Sequence, residues 1–313
     1  MALFYNYKKD GKGVSREESE AESVWALYFL IVKRNLSKFI KLNLIYVALA
    51  VLCAVVMYFV MILPSLLGFI NIYGIGIKIT ETFALTFNPW VLYAVPIPMV
   101  IFSPLFGGGM VVSRRMANRE YVFLLSEYID GVKDNWKQFL ANSIISYLVY
   151  VLMSFALVYY YANLSSGIIY WVLFFILVFF ASLFIFAQFY IPLMIVSVDL
   201  KLSHIYKNGF LLAVLGFVRN ILFIILISIY VAFYLFFALS QVVTIIIATV
   251  TILLIAFSFF SYSQAYICYP IVKKYIIDPF YVPKEEPKEE VVEKVDAITN
   301  GEIVIDEKIF DDV

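Results

Sequence analysis

Long apolar stretches separated by short clusters of charged residues organise this chain. Four intervals contain no charged residue, at 42–77, 82–113, 138–198 and 220–272. A helix that crosses a bilayer needs about 20 mainly apolar residues, so the first two intervals hold one helix each and the last two hold a pair each. Polar turns at 163–167 and near Ser240 divide the two longer intervals. The pattern predicts six transmembrane helices.

We therefore predict an all-α integral membrane protein in which the six helices form three hairpins. The predicted spans cover residues 42–67, 90–112, 141–162, 168–197, 218–239 and 242–269. The membrane domain is predicted at 24–280, after a flexible cytoplasmic N-terminus at 1–23. Residues 281–313 are predicted to be a disordered cytoplasmic tail, because a strongly acidic segment cannot bury enough apolar surface to fold.

The Lys and Arg residues predict the orientation of the helices. They cluster before span 1, between spans 2 and 3, between spans 4 and 5, and after span 6. Basic residues close to membrane spans are retained on the cytoplasmic side, so both termini are expected in the cytoplasm. The outer side keeps one longer loop at 70–89, which carries Lys78 and Glu81, the two charged residues that are not predicted on the cytoplasmic side.

Composition agrees with a membrane protein and narrows the chemistry. Hydrophobic residues make up 64% of the chain and the mean hydropathy is +0.93, far from the balance of a soluble domain. The chain has one histidine, His204, and two cysteines, Cys53 and Cys268, which we predict to be buried thiols. Metal sites, cofactor sites and acid-base catalysis lack candidate residues. We predict that the protein is not an enzyme and does not bind nucleic acid.

The same helical pattern precedes the first and third predicted spans. Apolar residues recur there at the spacing of one helix face. They are Tyr28, Phe29, Val32, Leu36, Phe39 and Ile40 before span 1, and Tyr128, Ile129, Val132, Trp136, Phe139 and Leu140 before span 3. A fainter copy before span 5 has Leu202, Ile205, Asn208 and Leu212. We interpret these as three units, each an amphipathic helix leading into a hairpin, although any basic helix that enters a membrane has a similar pattern.

Such helices have two possible partners. An apolar stripe opposite a lysine-bearing face suits the headgroup layer, where amines meet anionic lipid. The alternative is that the stripe docks on a cytoplasmic protein. The position beside the membrane favours the lipid bilayer, with anionic headgroups at its cytoplasmic face.

Few polar residues lie inside the predicted spans. None of them is a carboxylate, a histidine or a basic residue, the groups that ion-coupled carriers commonly use at membrane depth. Asn43 and Asn142 lie near the start of their spans and are expected to cap or to bond locally. Gln188 lies four residues before Pro192. Gln188 either packs against another helix through hydrogen bonds or lines a polar cavity, and packing is the favoured interpretation.

The second span is the least regular of the six. It contains three prolines and a glycine triplet, at Pro96, Pro98, Pro104, Gly107, Gly108 and Gly109. Irregular backbone at membrane depth is tolerated only against protein or water. The alternatives are a broken helix at a pathway or hinge, and a kinked helix in close contact with its neighbours. Together with Gln188 and Pro192, these are the candidate pathway residues.

Three short segments resemble a known family. They are Pro104-Leu105-Phe106-Gly107-Gly108-Gly109-Met110, Arg114-Arg115-Met116-Ala117-Asn118-Arg119-Glu120-Tyr121-Val122-Phe123 and Asp130-Gly131-Val132-Lys133-Asp134-Asn135-Trp136-Lys137-Gln138. They resemble the YesL-like family of bacterial multi-pass membrane proteins, a domain of unknown function. Arg115 stands where that family usually has Asn, and Asn118 where it usually has Arg. The resemblance implies the plasma membrane of a bacterium and no catalytic residues.

The resemblance also implies a role. Members of that family are associated with carbohydrate uptake near ATP-driven (ABC-type) importers, which implies an accessory subunit. The expected interaction surface consists of cytoplasmic residues Arg114, Arg115, Arg119, Lys133, Asn135, Trp136 and Lys137. The alternative function is an autonomous carrier or channel for a small neutral solute, with its pathway at the broken second span and Gln188.

Overall fold

The structure is a computed structural model that describes residues 24–59, 75–79, 83–87, 93–238 and 242–281. The helices are α1 (Val24–Arg34), α2 (Leu36–Met57), α3 (Pro96–Ile101), α4 (Ser103–Ala117), α5 (Leu124–Ala162), α6 (Ile168–Ile195), α7 (Leu202–Leu215), α8 (Phe217–Ala238), α9 (Val242–Thr251), α10 (Phe257–Val272) and α11 (Asp278–Tyr281). A 3₁₀ turn at Leu164–Ser166 joins α5 to α6, and π-helical turns occupy Ile252–Ala256 and Lys273–Ile277.

One two-stranded antiparallel ribbon lies in the predicted outer loop. Its strands are β1 (Ile75–Ile79) and β2 (Phe83–Phe87), with Ile77 opposite Leu85. The sequence pattern predicted no strand there. Every other described element is helical, as predicted.

By length and composition, five helical segments can cross a membrane. They are Leu36–Met57, Leu124–Ala162, Ile168–Ile195, Phe217–Phe236 and Thr244–Ile277. The chain is a multi-pass membrane protein. The predicted flexible N-terminus, the acidic tail from residue 282 onwards and the predicted span ends at 60–67, 90–92 and 239 lie outside the described residues.

Two helices begin earlier than predicted, because amphipathic and membrane-spanning sequence is joined. The first candidate span begins at Leu36, and α1 ends just before it at a turn centred on Asn35. Before the third predicted span there is no turn, and α5 runs without interruption from Leu124 to Ala162. The second amphipathic helix and its span are therefore one helix.

The predicted second span consists of two shorter helices. α3 and α4 meet at Phe102, whose φ of −90° and ψ of 6° leave the helical region. Pro104 lies in the first turn of α4, where its missing N–H has no helical partner to lose. The glycine triplet lies inside α4, which continues regularly through it. The interruption is therefore set by the proline-rich segment and not by the glycines.

Buried apolar side chains of α1, α2, α4, α5, α10 and the connection between α4 and α5 form one core cluster. Its members are Tyr28, Ile31, Phe39, Leu42, Tyr46, Leu49, Val112, Met116, Val122, Tyr128 and Tyr262. Hydroxyl groups cross-link the same helices: Tyr28 and Ser263 are 2.6 Å apart, and Tyr46 donates to Ser261 at 3.1 Å. The most apolar windows of the spans differ in burial, from 33% in α2 to 6% in α5 and 0% in α6. The apolar sides of α5 and α6 therefore face outward, as lipid-facing helices do.

Asn43 of α2 joins the first and last membrane helices through the π-helical turn between α9 and α10. Its Nδ2 donates to the carbonyl oxygens of Ile252 and Leu253, at 2.8 and 2.9 Å. Its Oδ1 accepts from the amides of Phe257 and Ser258, at 2.8 and 3.1 Å. A widened π turn leaves backbone groups without regular partners, and the Asn43 amide satisfies four of them. The prediction that Asn43 bonds locally is wrong.

The first two predicted units share one burial pattern at an offset of 100 residues. From 28 to 42 the order of buried, half-buried and exposed positions matches that from 128 to 142, except at Lys41 and Ala141. When α7 is aligned with α5 so that Asn208 matches Asn135, α7 does not repeat this order of buried and exposed positions. The apolar stripe is also divided, because Tyr28 and Phe39 are buried within the protein.

The exposed half of each stripe occupies matching positions. In the first unit Trp25, Phe29 and Leu36 are exposed, and in the second Leu125, Ile129 and Trp136. One apolar half of each amphipathic helix thus packs on the protein, while the other half remains available to lipid or to a partner.

Candidate cytoplasmic interaction site

The turn that ends α4 has an unusual residue at its tightest point. The amide of Glu120 bonds the carbonyl of Arg115 at 3.0 Å, and the amide of Arg119 bonds that of Met116 at 3.1 Å. This pair of bonds defines a Schellman motif, in which the left-handed position is usually glycine. Here it is Arg119, with a φ of 61°. A left-handed arginine is unfavourable for the backbone, so its side chain is a candidate for function.

Arg115 stabilises the connection between α4 and α5. Its Nη1 donates to Glu127 Oε1 at 3.0 Å, and the same oxygen accepts the amide of Phe123 at 3.1 Å. Glu120 lies 3.9 Å from Arg115 Nε on the other side. A carboxylate at a helix start satisfies an unpaired amide and interacts favourably with the helix dipole. Arg115 therefore stabilises the backbone of the predicted interaction surface.

The remaining arginines differ in their environment. Arg114 is half-buried and lies 5.8 Å from the centre of the Tyr269 ring, within the range of a cation–π interaction. Arg119 is exposed, and no hydrogen bond or ion pair joins its guanidinium to another residue that the structure describes. Of the three arginines, Arg119 is the one available to a ligand.

The predicted residues on α5 form a second group. Lys133, Trp136 and Lys137 are exposed, and Lys137 Nζ lies 5.6 Å from the centre of the Trp136 ring. Asn135 donates to the carbonyl of Gly131 at 2.9 Å, so its side chain serves the helix. Trp136 lies roughly 14 Å further along α5 than Glu127, at 1.5 Å per residue. The structure therefore divides the predicted surface into an arginine group and a lysine–tryptophan group.

Three exposed apolar residues beside the arginines were not predicted as site residues. Tyr121, Phe123 and Leu125 expose 73%, 66% and 65% of their surface. Tyr121 and Phe123 have ring centres 4.8 Å apart, and Lys38 Nζ lies 4.8 Å from the Tyr121 ring. The sequence signal was an alternation of aromatic residues in a short connection between helices. We call Tyr121, Phe123 and Leu125 the apolar rim.

The glycine triplet is a packing surface. A Cβ at Gly107 would lie 2.9 Å from the Phe139 ring, and one at Gly108 would collide with the carbonyl oxygen of Tyr128. A Cβ at Gly109 would collide with the hydroxyl of Tyr46. The glycines let α4 approach α5 and α2 closely. The alternatives for this segment were a broken helix at a pathway or hinge and a kinked helix in close contact with its neighbours. The glycines fit the second alternative.

Gln188 belongs to a polar cluster between α5, α6 and α7. Its Oε1 accepts from Asn142 Nδ2 at 3.3 Å, and Asn142 Oδ1 accepts from the hydroxyl of Tyr206 at 2.7 Å. Burial raises the pKa of Tyr206, which keeps its hydroxyl a donor. Asn142 therefore bonds two other helices, and the prediction of local bonding is wrong. Gln264 of α10 donates to the carbonyl of Phe189 at 3.1 Å, within the turn that ends at Pro192.

A separate cavity of about 350 Å³ lies where α3 meets α5. Pro96, Ser143, Ser146 and Tyr147 are among its lining residues. Gln188 and the glycine triplet do not line it. The candidate pathway residues are therefore not brought together, and Pro96 alone among them reaches this cavity.

The cysteines and the acidic residues are the remaining candidates for reactive groups. Cys53 and Cys268 are both buried free thiols, as predicted. In the part of the chain that the structure describes, no three His, Cys, Asp or Glu side chains gather as a metal site requires.

No family model matches the chain, and neither do any curated protein or any solved structure.

Proposed function

We propose that the protein is a non-enzymatic accessory subunit in the plasma membrane of a bacterium, linked to carbohydrate uptake by an ATP-driven importer. In this proposal α3 and α4 together form a sixth, broken span. The three hairpins then place both termini in the cytoplasm. The resemblance to the YesL-like family supports the link to carbohydrate uptake.

The apolar rim is the observation that carries the proposal. Large aromatic side chains exposed beside arginine are the residue types that are enriched where proteins bind one another. The rim is also held in place, because the Arg115–Glu127 ion pair and the Schellman turn fix its backbone. A rigid surface loses little conformational freedom on binding, which favours affinity.

The lysine–tryptophan group has a different role in this proposal. Lys133, Trp136 and Lys137 continue the exposed stripe of α5. The matching positions of the first unit show the same pattern of buried and exposed residues. Tryptophan and lysine side by side suit the headgroup layer of an anionic membrane. We assign these residues to lipid, which leaves the apolar rim for the protein partner.

Co-purification tests the proposal. The full chain, carrying an affinity tag, is extracted from its native membranes in a mild detergent, and the proteins bound to it are identified and quantified. We expect the membrane and ATPase subunits of one importer in near-stoichiometric amounts. Tyr121→Ser combined with Phe123→Ser should remove them, because the rim then loses its two aromatic anchors.

The matched control replaces exposed apolar residues at the start of α6, just beyond the far end of α5. Ile168→Ser with Ile169→Ser changes two residues of comparable exposure and should leave the importer subunits bound. Absence of importer subunits from the wild-type preparation, or their persistence in the rim variant, would contradict the proposal.

An autonomous carrier or channel for a small neutral solute is the second candidate. The cavity between α3 and α5 favours it, because hydroxyl groups of Ser143, Ser146 and Tyr147 at a helix interruption suit an uncharged polar solute. Liposomes containing this chain alone distinguish the two functions. Saturable sugar flux in them, reduced by Ser146→Leu, would establish the carrier and overturn the accessory role.

A further inference from the structure

A cavity of about 370 Å³ lies between α1, the end of α4, α8 and α10. This volume falls in the range of roughly 300–1,000 Å³ that is typical of small-molecule sites. The residues that give it its chemistry are Trp25, Asn118, Arg119, Arg219, Tyr266 and Tyr269. All of these residues precede Lys273 in the chain. Of the predicted site residues, Arg119 is the one that lines this cavity.

The cavity is positively charged. Arg119 and Arg219 both line it, and no acidic residue that the structure describes does. Glu120, which follows Arg119, is directed to other partners, since it accepts from Asn118 Nδ2 at 2.8 Å and lies 3.9 Å from Arg115. Two guanidinium groups that lack a carboxylate partner create a positive local potential, which attracts an anion.

Both arginines retain donors for such an anion. Arg219 donates one N–H to the carbonyl of Ile267 at 3.0 Å, which fixes its side chain at the cavity wall. This is its one hydrogen bond within the described residues, and a guanidinium has five N–H donors. The guanidinium of Arg119 makes no hydrogen bond to any residue that the structure describes. Fork-shaped guanidinium groups match the oxygens of a phosphate particularly well.

The backbone of Arg119 supports a functional role for this side chain. Glycine is the residue favoured at the left-handed position of a Schellman motif, yet the chain has arginine there with a φ of 61°. Glycine would relieve the strain. The presence of arginine at this position is therefore explained if its guanidinium is needed at the cavity. The aromatic residues Trp25 and Tyr266 complete a wall that suits the boundary between headgroups and acyl chains.

We propose that this cavity binds the phosphate group of an anionic ligand, with Arg119 and Arg219 as the phosphate-binding residues. The phosphate can belong to a membrane lipid headgroup or to a soluble phosphorylated compound. The site is independent of the apolar rim and of any importer, so its test does not depend on the function proposed above.

Ligand binding to the purified full chain in a neutral detergent tests the proposal. Phosphatidylglycerol is compared with diacylglycerol, which has no phosphate, and soluble glycerol 3-phosphate forms a separate arm. Binding is measured by native mass spectrometry and by the shift in thermal unfolding temperature. We expect phosphatidylglycerol or glycerol 3-phosphate to bind, and diacylglycerol not to; whichever phosphate compound binds identifies the source.

Three variants identify the site. Arg119→Gly and Arg219→Gln should each weaken binding about tenfold or more, as expected when a charge-assisted hydrogen bond is lost. Arg119→Gly also relieves the left-handed backbone, so without ligand its unfolding temperature should not fall, which separates lost binding from misfolding. Arg34→Gln is the matched control, because Arg34 is exposed on α1 outside the cavity and should bind like the wild type. Wild-type affinity in both cavity variants, or no binding of either phosphate compound, would overturn the proposal.

Discussion

Asn43 should be one of the most costly polar residues to replace in this protein. It is fully buried and makes four hydrogen bonds to the backbone of the turn between α9 and α10. Hydrogen bonds of side chains in membrane proteins contribute about 0.6 kcal/mol on average and at most about 1.7 kcal/mol. Four bonds of average strength give roughly 2.4 kcal/mol. Because the freed backbone groups are shielded from water, we expect Asn43→Leu to destabilise the protein by about 2–5 kcal/mol.

Leucine is the informative replacement because its side chain has the same branched arrangement of heavy atoms as asparagine, leaves no cavity and has no polar atom. A loss caused by hydrogen bonds persists in this variant, whereas a loss caused by a cavity would be largely recovered. The measurement is equilibrium unfolding in mixed micelles of mild and denaturing detergent, followed by far-UV circular dichroism. The control is Asn163→Ala, since Asn163 makes a single exposed bond to the carbonyl of Tyr159, and its cost should stay below about 0.5 kcal/mol.

A compensating deletion makes the test sharper. A π turn contains one residue more than an α-helical turn, so deleting Leu254 allows Ile252–Ala256 to become regular α-helix. The freed backbone groups then bond within the helix. The deletion should therefore recover much of the stability lost in Asn43→Leu, although it is costly by itself because Asn43 loses its partners. Additive effects of the two changes, or a loss below about 1 kcal/mol for Asn43→Leu, would refute the reasoning.

Two further predictions concern packing and orientation. Gly108→Ala should destabilise the protein by about 1–3 kcal/mol in the same unfolding assay, because the added methyl group meets the Tyr128 backbone; Gly107→Ala should cost less, since the Phe139 ring can turn. Equal costs would argue against a backbone collision. In cells, a cysteine introduced by Ser165→Cys should react with an impermeant thiol reagent added outside, and one introduced by Ser203→Cys should not. The reverse labelling would contradict the proposed orientation.

Periodic and compositional features of this chain were predictable, because they depend on nearby residues. Charge-free intervals mark the candidate spans, since ionised side chains are costly in hydrocarbon. The repeated spacing before spans 1 and 3 predicted the helical segments with matching burial around Tyr28 and Tyr128. The exact division of each stripe was not predictable, because periodicity gives one apolar face and does not say which part of it packs on protein.

The contacts that hold the helices together could not be predicted in the same way. Asn43 bonds groups more than 200 residues away in the chain, and its partners exist only because a π turn forms there. Ile252–Ala256 carries no local signal for such a turn. The glycine triplet has poor helix propensity, so local reasoning placed a break near it. Close packing against Tyr46, Tyr128 and Phe139 overrides that propensity.

The distribution of buried residues bears on which function the fold suits. In α5 the fully buried residues end at Asn142, and in α6 they begin at Ala187, so the tightest packing of the hairpin lies at the end away from its turn. The hydrogen bonds of Asn142 lie at that same end. In the proposed orientation the basic clusters lie at the same end, so the tightly packed part of the molecule faces the cytoplasm. A tightly packed edge beside outward-facing apolar hairpins suits a subunit that presents a surface better than it suits a carrier, in which opposed halves must move against each other around a central site.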